Sequence, residues 1–288
     1  MPPAFLAPAK INLTLEVLAR RDDGYHGVRS VMVPLDLSDE LFVEASDRFA
    51  FTCDRAELAG DDNLVVRALR ALGDLPPFGL ELRKRIPTQA GLGGGSSDAA
   101  TVLRAAMTGV FGPPPTVDWM QIARQLGSDV AFFLAGTGAL VEGTGERVTP
   151  LGALPRWYAL VVKPPAGVST AAAYAQLDRY PRPSRARASS VSVAMLTALQ
   201  RGDFNAVVGL LHNDFHDPIS ASVPEVSTAL EALASAGATN ALLAGSGSAV
   251  FTLADSRDAI ERIRERLSLA PVYRHFAAAF APTPDWRT

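Results

Sequence analysis

The stretch IPTQAGLGGGSSDAATVLRAA, residues 86–106, constrains the chain more than any other. Glycine stands at 91, 93, 94 and 95, between a segment that alternates like a strand and one with helical periodicity. In GLELRKRI, before it, Leu80, Leu82 and Ile86 fall on one side. After it, Ala99, Val102, Leu103 and Ala106 follow i, i+3, i+4, i+7, so one helix face is buried. A strand, a glycine-rich turn and a helix in that order make an anion site. Glycine permits the positive φ angles that let N–H groups converge, and the helix N-terminus adds partial positive charge. Ser96 and Ser97 are expected to cap the helix and to offer hydroxyls to a phosphate or a metal. A Walker A loop needs a lysine after the glycines, and none follows; a Rossmann fingerprint needs glycine where Ser96 stands. A slack connection remains the bland reading of the same residues.

An anion bound here is held locally, because the chain as a whole has no attraction for one. Its 27 basic and 30 acidic residues leave a net charge of −3, which speaks against nucleic acid or an anionic membrane as partner. No apolar run has the length of a membrane span, and MPPAFLAPAKINL lacks the pattern of a secretory signal, so a cytoplasmic protein is expected. The single cysteine, Cys53, allows no internal disulfide. Only three of the basic residues are lysine: Lys10, Lys84 and Lys163. In so arginine-rich a chain each lysine marks a candidate place for a compact ammonium where a guanidinium fork would not fit.

The chain reads as α+β throughout. In KINLTLEV, Ile11, Leu13, Leu15 and Val17 alternate with Lys10, Asn12, Thr14 and Glu16, which puts Lys10 and Asn12 on one polar face of a strand. RRDDGYHG is a turn, and strands follow in VRSVMVPLDL, DELFVEAS and RFAFTCD. DDNLVVRALRALG and TVDWMQIARQLG are helices, the second capped by Thr116; SDVAFFLAG is a short helix and ALVEGTGERVTPL a hairpin. Pro155 and the strand RWYALVVKPP mark a boundary, giving expected domains 1–155 and 156–288. The second half mixes helices, among them FNAVVGLLHND, with strands NALLAG, AVFTLA and VYRHFAAAF, and PRPSRARASS is an exposed loop.

PAKINL, GYH, PTQAGLGGGSSDAA, GSDVAFF, GTGE and LLAGSGSAVF, in this order, closely resemble the GHMP small-molecule kinase superfamily over nearly the whole chain. The match is to its branch whose alcohol substrate carries a cytidine diphosphate. The resemblance implies a ribosomal-S5-like N-terminal domain, a ferredoxin-like C-terminal domain, and a cleft between them. It further implies ATP and Mg²⁺, a cytidyl diphosphate polyol phosphorylated on its 2-hydroxyl in the non-mevalonate isoprenoid route, and a monomer or weak homodimer.

Carried to matching positions, Pro87, Thr88, Gln89, Ala90, Gly91, Leu92, Gly93, Gly94, Gly95, Ser96 and Ser97 wrap the ATP phosphates, with Asn63 and Lys84 lining the nucleotide pocket. Asp129, which on position alone reads as a plain helix N-cap, becomes the catalytic carboxylate, and Lys10 orients it. Tyr25 stacks on the cytosine, His26 hydrogen-bonds its edge, Tyr174 covers its second face, and Asn12 shares the Lys10 pocket. The GSG turn at Gly245, Ser246 and Gly247 packs against the site. The chain departs from the family at Ser128 and Ala131, where alanine and proline are usual, and at Gln89-Ala90, often glycine. Metal ligands stay unassigned. His212 and His216 have the spacing of a two-histidine zinc site on a helix, but no adjacent glutamate or third ligand, so zinc is not expected. Two alternatives remain: a kinase for another alcohol such as homoserine or mevalonate, and a nucleotide-binding sensor without chemistry.

Overall fold

The computed structural model describes residues 4–20, 24, 26–180 and 190–281. Tyr25 and residues 181–189 of the expected loop lie outside them. The chain opens with two long antiparallel strands, β1 (Ala4–Arg20) and β2 (His26–Ala45), then β3 (Ala50–Cys53), α1 (Leu64–Ala71) and β4 (Phe78–Arg83). The glycine loop leads into α2 (Gly94–Met107), followed by α3 (Trp119–Leu126), α4 (Val130–Ala135) and the hairpin β5 (Ala139–Gly143) and β6 (Arg147–Pro150). The second half comprises β7 (Tyr158–Lys163), α5 (Thr170–Arg179), α6 (Val191–Arg201), α7 (Phe204–Gly209), β8 (His212–Asn213), α8 (His216–Ser222) and α9 (Pro224–Ser235). It ends with β9 (Leu242–Leu243), β10 (Val250–Ala254), α10 (Arg257–Arg266) and β11 (Arg274–Ala279).

Two sheets result. One runs β3-β4-β2-β1-β8, with β5 pairing β2 and β6 pairing β5; the other is antiparallel, in the order β11-β7-β10-β9. Residues of α1 to α4 bury their apolar stripes against the first sheet, through Leu82, Leu103 and Phe132. A second core cluster joins the halves: Ile11, Leu13 and Val33 of the first sheet pack with Val161 and Phe251 of the second, and with Ala90 and Leu92 of the glycine loop. Phe280 bridges to Leu35, and Ala281 N donates to Pro34 O at 3.0 Å. β8 also returns from the second half to pair in parallel with β1. The loop is therefore clamped where both sheets meet.

The strand read at β1 forms, but its alternation slips between Asn12 and Thr14, which pair with the adjacent residues Met32 and Val31, so Lys10 and Asn12 do not share a face with Thr14. None of the polar residues faces water: Lys10 lies against Gly93 and Asp129, whereas Ser192 of the second half reaches Thr14 and Glu16. The expected caps also shift. α2 begins at Gly94 with Gly93 (φ +73°) as N-cap, so Ser96 and Ser97 lie inside its first turns. α3 is capped by Asp118, whose Oδ1 accepts from Gln121 N at 2.9 Å, rather than by Thr116; only Asp118 stands at the spacing that reaches that amide. FNAVVGLLHND does not continue as one helix. His212 lies on β8 and His216 opens α8, so the two do not share a helix face. Their nitrogens are engaged elsewhere: His212 Nε2 meets Asp214 Oδ1 at 2.8 Å, and His216 Nδ1 accepts from Leu243 N at 3.2 Å.

Candidate active site

Lys10 stands between two register shifts in the β1–β2 ladder, at Pro8/Lys10 and Asn12/Thr14. Such bulges re-aim side chains and free backbone groups. Here the freed amide of Lys10 donates to Leu92 O of the glycine loop at 3.0 Å. The Lys10 ammonium donates to Asn12 Oδ1 at 2.7 Å and lies 3.5 Å from Asp129 Oδ2. Asn12 Nδ2 passes the chain on to Ser30 Oγ (2.8 Å), whose hydroxyl donates to Thr14 O (2.6 Å). Lys10 is 4% exposed and Asn12 3%. A buried ammonium with so few donors left to solvent is held in one position.

Asp129 occupies the N-cap position of α4, yet its side chain makes no capping hydrogen bond. It turns toward Lys10 instead. The hairpin β5–β6 supports it from behind: a Cβ on Gly145 (φ +111°) would lie 2.5 Å from Ser128 O, so the GTGE turn must carry glycine there. On its far side Phe133 of α4 touches the loop, 2.9 Å from where a Cβ on Gly93 would stand, and Lys10 Cγ lies 3.1 Å from the same point. The loop, the lysine and the aspartate thus meet.

The loop turns at the glycines. Gly91 and Gly93 both have φ +73°, and α2 starts at once behind them. Ser97 Oγ, fully buried in the first turns of α2, has no hydrogen-bond partner. An orphaned buried hydroxyl costs about 1–3 kcal/mol, and it fits a phosphate oxygen or a metal ion as the missing partner. Gln89 is the one non-glycine among the described residues with positive φ, +49°. This is the departure noted above, and it shows why glycine is common there: a side chain in that region carries strain of about 1–3 kcal/mol unless its surroundings fix it. They do. Gln89 O accepts from Ser248 N at 3.3 Å, and Ala90 O accepts from Ala249 N at 3.2 Å.

The GSG turn therefore docks on the loop. A Cβ on Gly245 would sit 2.7 Å from Gly91 O and 3.1 Å from Lys10 Nζ. Asn213, unremarked in the sequence, anchors this turn: its Nδ2 donates to Leu243 O and Gly245 O, both at 2.8 Å. Only the pairing of β8 with β1, which no local pattern announces, brings it there. Glu16 was likewise missed. Its carboxylate accepts from Ser190 Oγ (2.6 Å), Ser192 N (3.2 Å) and Val191 N (3.3 Å), capping α6 from another part of the chain. Burial pushes the Glu16 carboxyl up, but the hydrogen bonds from Ser190, Ser192 and Val191 outweigh it and hold it below the usual range.

All three lysines are buried. Lys163 donates to Pro164 O (2.6 Å) and Ala166 O (2.8 Å), tying the turn that Ser248 Oγ also reaches, and burial pushes its ammonium down. Lys84 does not point into open space: its ammonium sits behind the loop between Asp39 and Asp98. Asn63 caps α1, its Oδ1 accepting from Val65 N (2.9 Å) and its Nδ2 donating to Leu58 O (2.7 Å). It enters the site's neighbourhood through Leu64, 3.5 Å from a Cβ on Gly95. At the other end of the molecule's polar strand, His26 and Tyr174 are brought together, their rings stacked at 5.5 Å and 13°. His26 Nδ1 lies 3.1 Å from Leu18 O and Nε2 3.3 Å from Asp178 Oδ1, while Tyr174 sits edge-on to Phe215 at 4.9 Å. Tyr25 is outside the described residues.

Comparison with known proteins shows the family. The family described as GHMP kinases N terminal domain matches residues 63–137, and GHMP kinases C terminal matches 195–272. The chain belongs to the GHMP kinases. A 4-diphosphocytidyl-2-C-methyl-D-erythritol kinase of Salinispora arenicola is 41% identical over 293 aligned positions, covering 97% of this chain and 92% of that one. A crystal structure of a 4-(cytidine 5'-diphospho)-2C-methyl-D-erythritol kinase superposes with a TM-score of 0.76 at 38% identity, covering 96% of this chain and 98% of that one. Homoserine kinase from Cytophaga hutchinsonii, 18% identical over 98% of this chain and 95% of that one, shares the fold at a TM-score of 0.72. Within the GHMP kinases, the group is that of the 4-diphosphocytidyl-2-C-methyl-D-erythritol kinases.

Proposed function

We infer that this enzyme transfers the γ-phosphoryl group of ATP to the 2-hydroxyl of 4-diphosphocytidyl-2-C-methyl-D-erythritol, a step of the non-mevalonate isoprenoid route. The observation that carries the reading is the Lys10–Asp129 contact at 3.5 Å, directly beside the amide-lined loop. In this account residues 87–97 cradle the triphosphate. Asp129 takes the proton from the attacking hydroxyl as its oxygen bonds to the γ-phosphorus and the bond to the ADP oxygen breaks. Lys10 keeps Asp129 in place and offsets charge on the reacting oxygens. The transition state of such transfers is loose, so position and charge matter more than the strength of the base. A magnesium ion arriving with the phosphates would supply positive charge there, and Ser97 Oγ is the oxygen of this chain that would meet it. Among the described residues no cluster of three or more His, Cys, Asp or Glu could hold a metal.

His26 and Tyr174 form the cytidine end, the sequence resemblance gives Tyr25 to the same base, and Asn12 lines the polyol pocket through its bond to Lys10. Lys84 and Asn63 serve the nucleotide pocket by bracing the loop and α1. The same reading divides the chain into units 1–155 and 156–288 and describes a cytoplasmic monomer or weak homodimer. No described helix is long and apolar enough to cross a membrane. ADP release from Mg-ATP tests the substrate directly, with the cytidylated polyol, homoserine and mevalonate offered in parallel. Turnover of the first alone supports the reading. Turnover of another alcohol moves the enzyme elsewhere among the GHMP kinases, and ATP binding without turnover of any would make it a sensor.

A further inference from the structure

We propose that Asp39, Lys84 and Asp98 form a buried tie that fixes both ends of the glycine loop, so that its amides stay aimed at the nucleotide phosphates. The proposal rests on the reading of residues 87–97 as the ATP cradle. Asp39 belongs to β2, and its Oδ1 accepts from Arg85 N (2.6 Å) and Ile86 N (2.8 Å), pinning the backbone that enters the loop. Its Oδ2 accepts from Lys84 Nζ at 2.5 Å, and the same ammonium donates to Asp98 Oδ2 at 2.6 Å, inside α2, which leaves the loop. One side chain thus links the way in to the way out. The contact with the loop is direct: a Cβ on Gly94, the first residue of α2, would lie 3.4 Å from Asp39 Oδ2 and 3.0 Å from Ile86 Cγ2.

Two features distinguish a positioning role from plain stabilisation. A buried ion pair is seldom better for stability than apolar side chains of similar volume, so geometry is its more natural contribution. The centre is also one of the three lysines in an arginine-rich chain, and an ammonium fits between two carboxylates where a planar guanidinium would not. Complete burial pushes the Asp98 carboxyl up to about 8, with the Asp39 charge adding to it and the Lys84 ammonium only partly offsetting it; burial works against the Lys84 ammonium, but Asp98 and Asp39 hold its pKa above the usual range.

Asp98→Leu and Asp98→Asn separate the possibilities. In both, Lys84 keeps Asp39 as a partner. The leucine removes the link to α2, whereas the asparagine oxygen can still accept from Lys84. The readouts are MgATP affinity by isothermal titration and KM for ATP and for the polyol. Asp98→Leu is expected to weaken MgATP binding and raise the ATP KM about tenfold, with the polyol KM unchanged; Asp98→Asn is expected to stay within about twofold on both. Asp98→Ser replaces the leucine variant if that one does not fold. A folded, link-less variant that binds MgATP like the wild type overturns the tie, as does an equal rise in both KM values. Wild-type protein that binds no MgATP overturns the functional reading itself, and the tie with it.

Discussion

Gly91 and Ala244 approach so closely that a Cβ on the glycine would overlap the carbonyl oxygen of the alanine. This is where the phosphate loop meets the GSG turn of the second half, and Gly91 also has φ +73°. Gly91→Ala therefore faces a steric conflict with backbone and a left-handed conformation together. It is expected to cost about 2–4 kcal/mol in urea unfolding and to raise the ATP KM, because the loop must move to relieve the overlap. A variant with an unchanged midpoint would show that the two backbones are not held together.

Lys10→Met keeps the length of the side chain and removes the ammonium. Its expected effect is a fall in kcat of about 10²–10³ with a much smaller change in either KM, since the lost interaction acts on charge that develops during transfer. Lys10→Arg is expected to rescue little, because Nζ is shared between Asn12 and Asp129 in a pocket so close to Gly245 that a Cβ there would lie 3.1 Å from it. Steady-state kinetics on both variants checks this.

Tyr174→Ala removes the ring that stacks on His26. Stacking on a base is worth about 1–3 kcal/mol, so the KM of the cytidylated polyol is expected to rise about 5- to 150-fold while the ATP KM holds. A rise in the ATP KM alone would place the aromatic pair on the wrong ligand.

Glu16→Gln is expected to lower stability at pH 7 by about 1 kcal/mol, through the weakened cap on α6. The folded carboxyl titrates below its unfolded value of 4.5, so its contribution is complete above pH 4.5 and is lost as pH falls through the folded pKa. The stability gap between wild type and variant should shrink on acidification. A gap that widened would reverse the sign.

Much of this was legible in the sequence. The glycine loop, the strand face shared by Lys10 and Asn12, and the short helix behind Asp129 follow from local periods and residue types. What was not legible depends on distant partners. The polar residues of β1 are buried by partners from elsewhere in the chain, Asp129 and Ser192 among them, that the strand's own period does not announce. Ser96 looked like a cap because serine commonly is one, but Gly93 turns the chain earlier. The two histidines looked like one helix face because β8 interrupts the pattern for only two residues. Asp39 and Asp98 gave no signal at all, since they meet Lys84, 45 and 14 residues away, and Asp39 meets the Arg85 and Ile86 amides, only in the folded chain.

The most direct measurement is phosphoryl transfer from Mg-ATP by the wild type and by Asp129→Asn, with 4-diphosphocytidyl-2-C-methyl-D-erythritol and with the polyol lacking its cytidyl group. Turnover is expected only with the cytidylated substrate, falling about 10²–10⁴-fold in the variant while MgATP still binds. An Asp129→Asn enzyme that keeps its rate within a few-fold would contradict the account, because the carboxylate beside Lys10 would then take no part in the reaction.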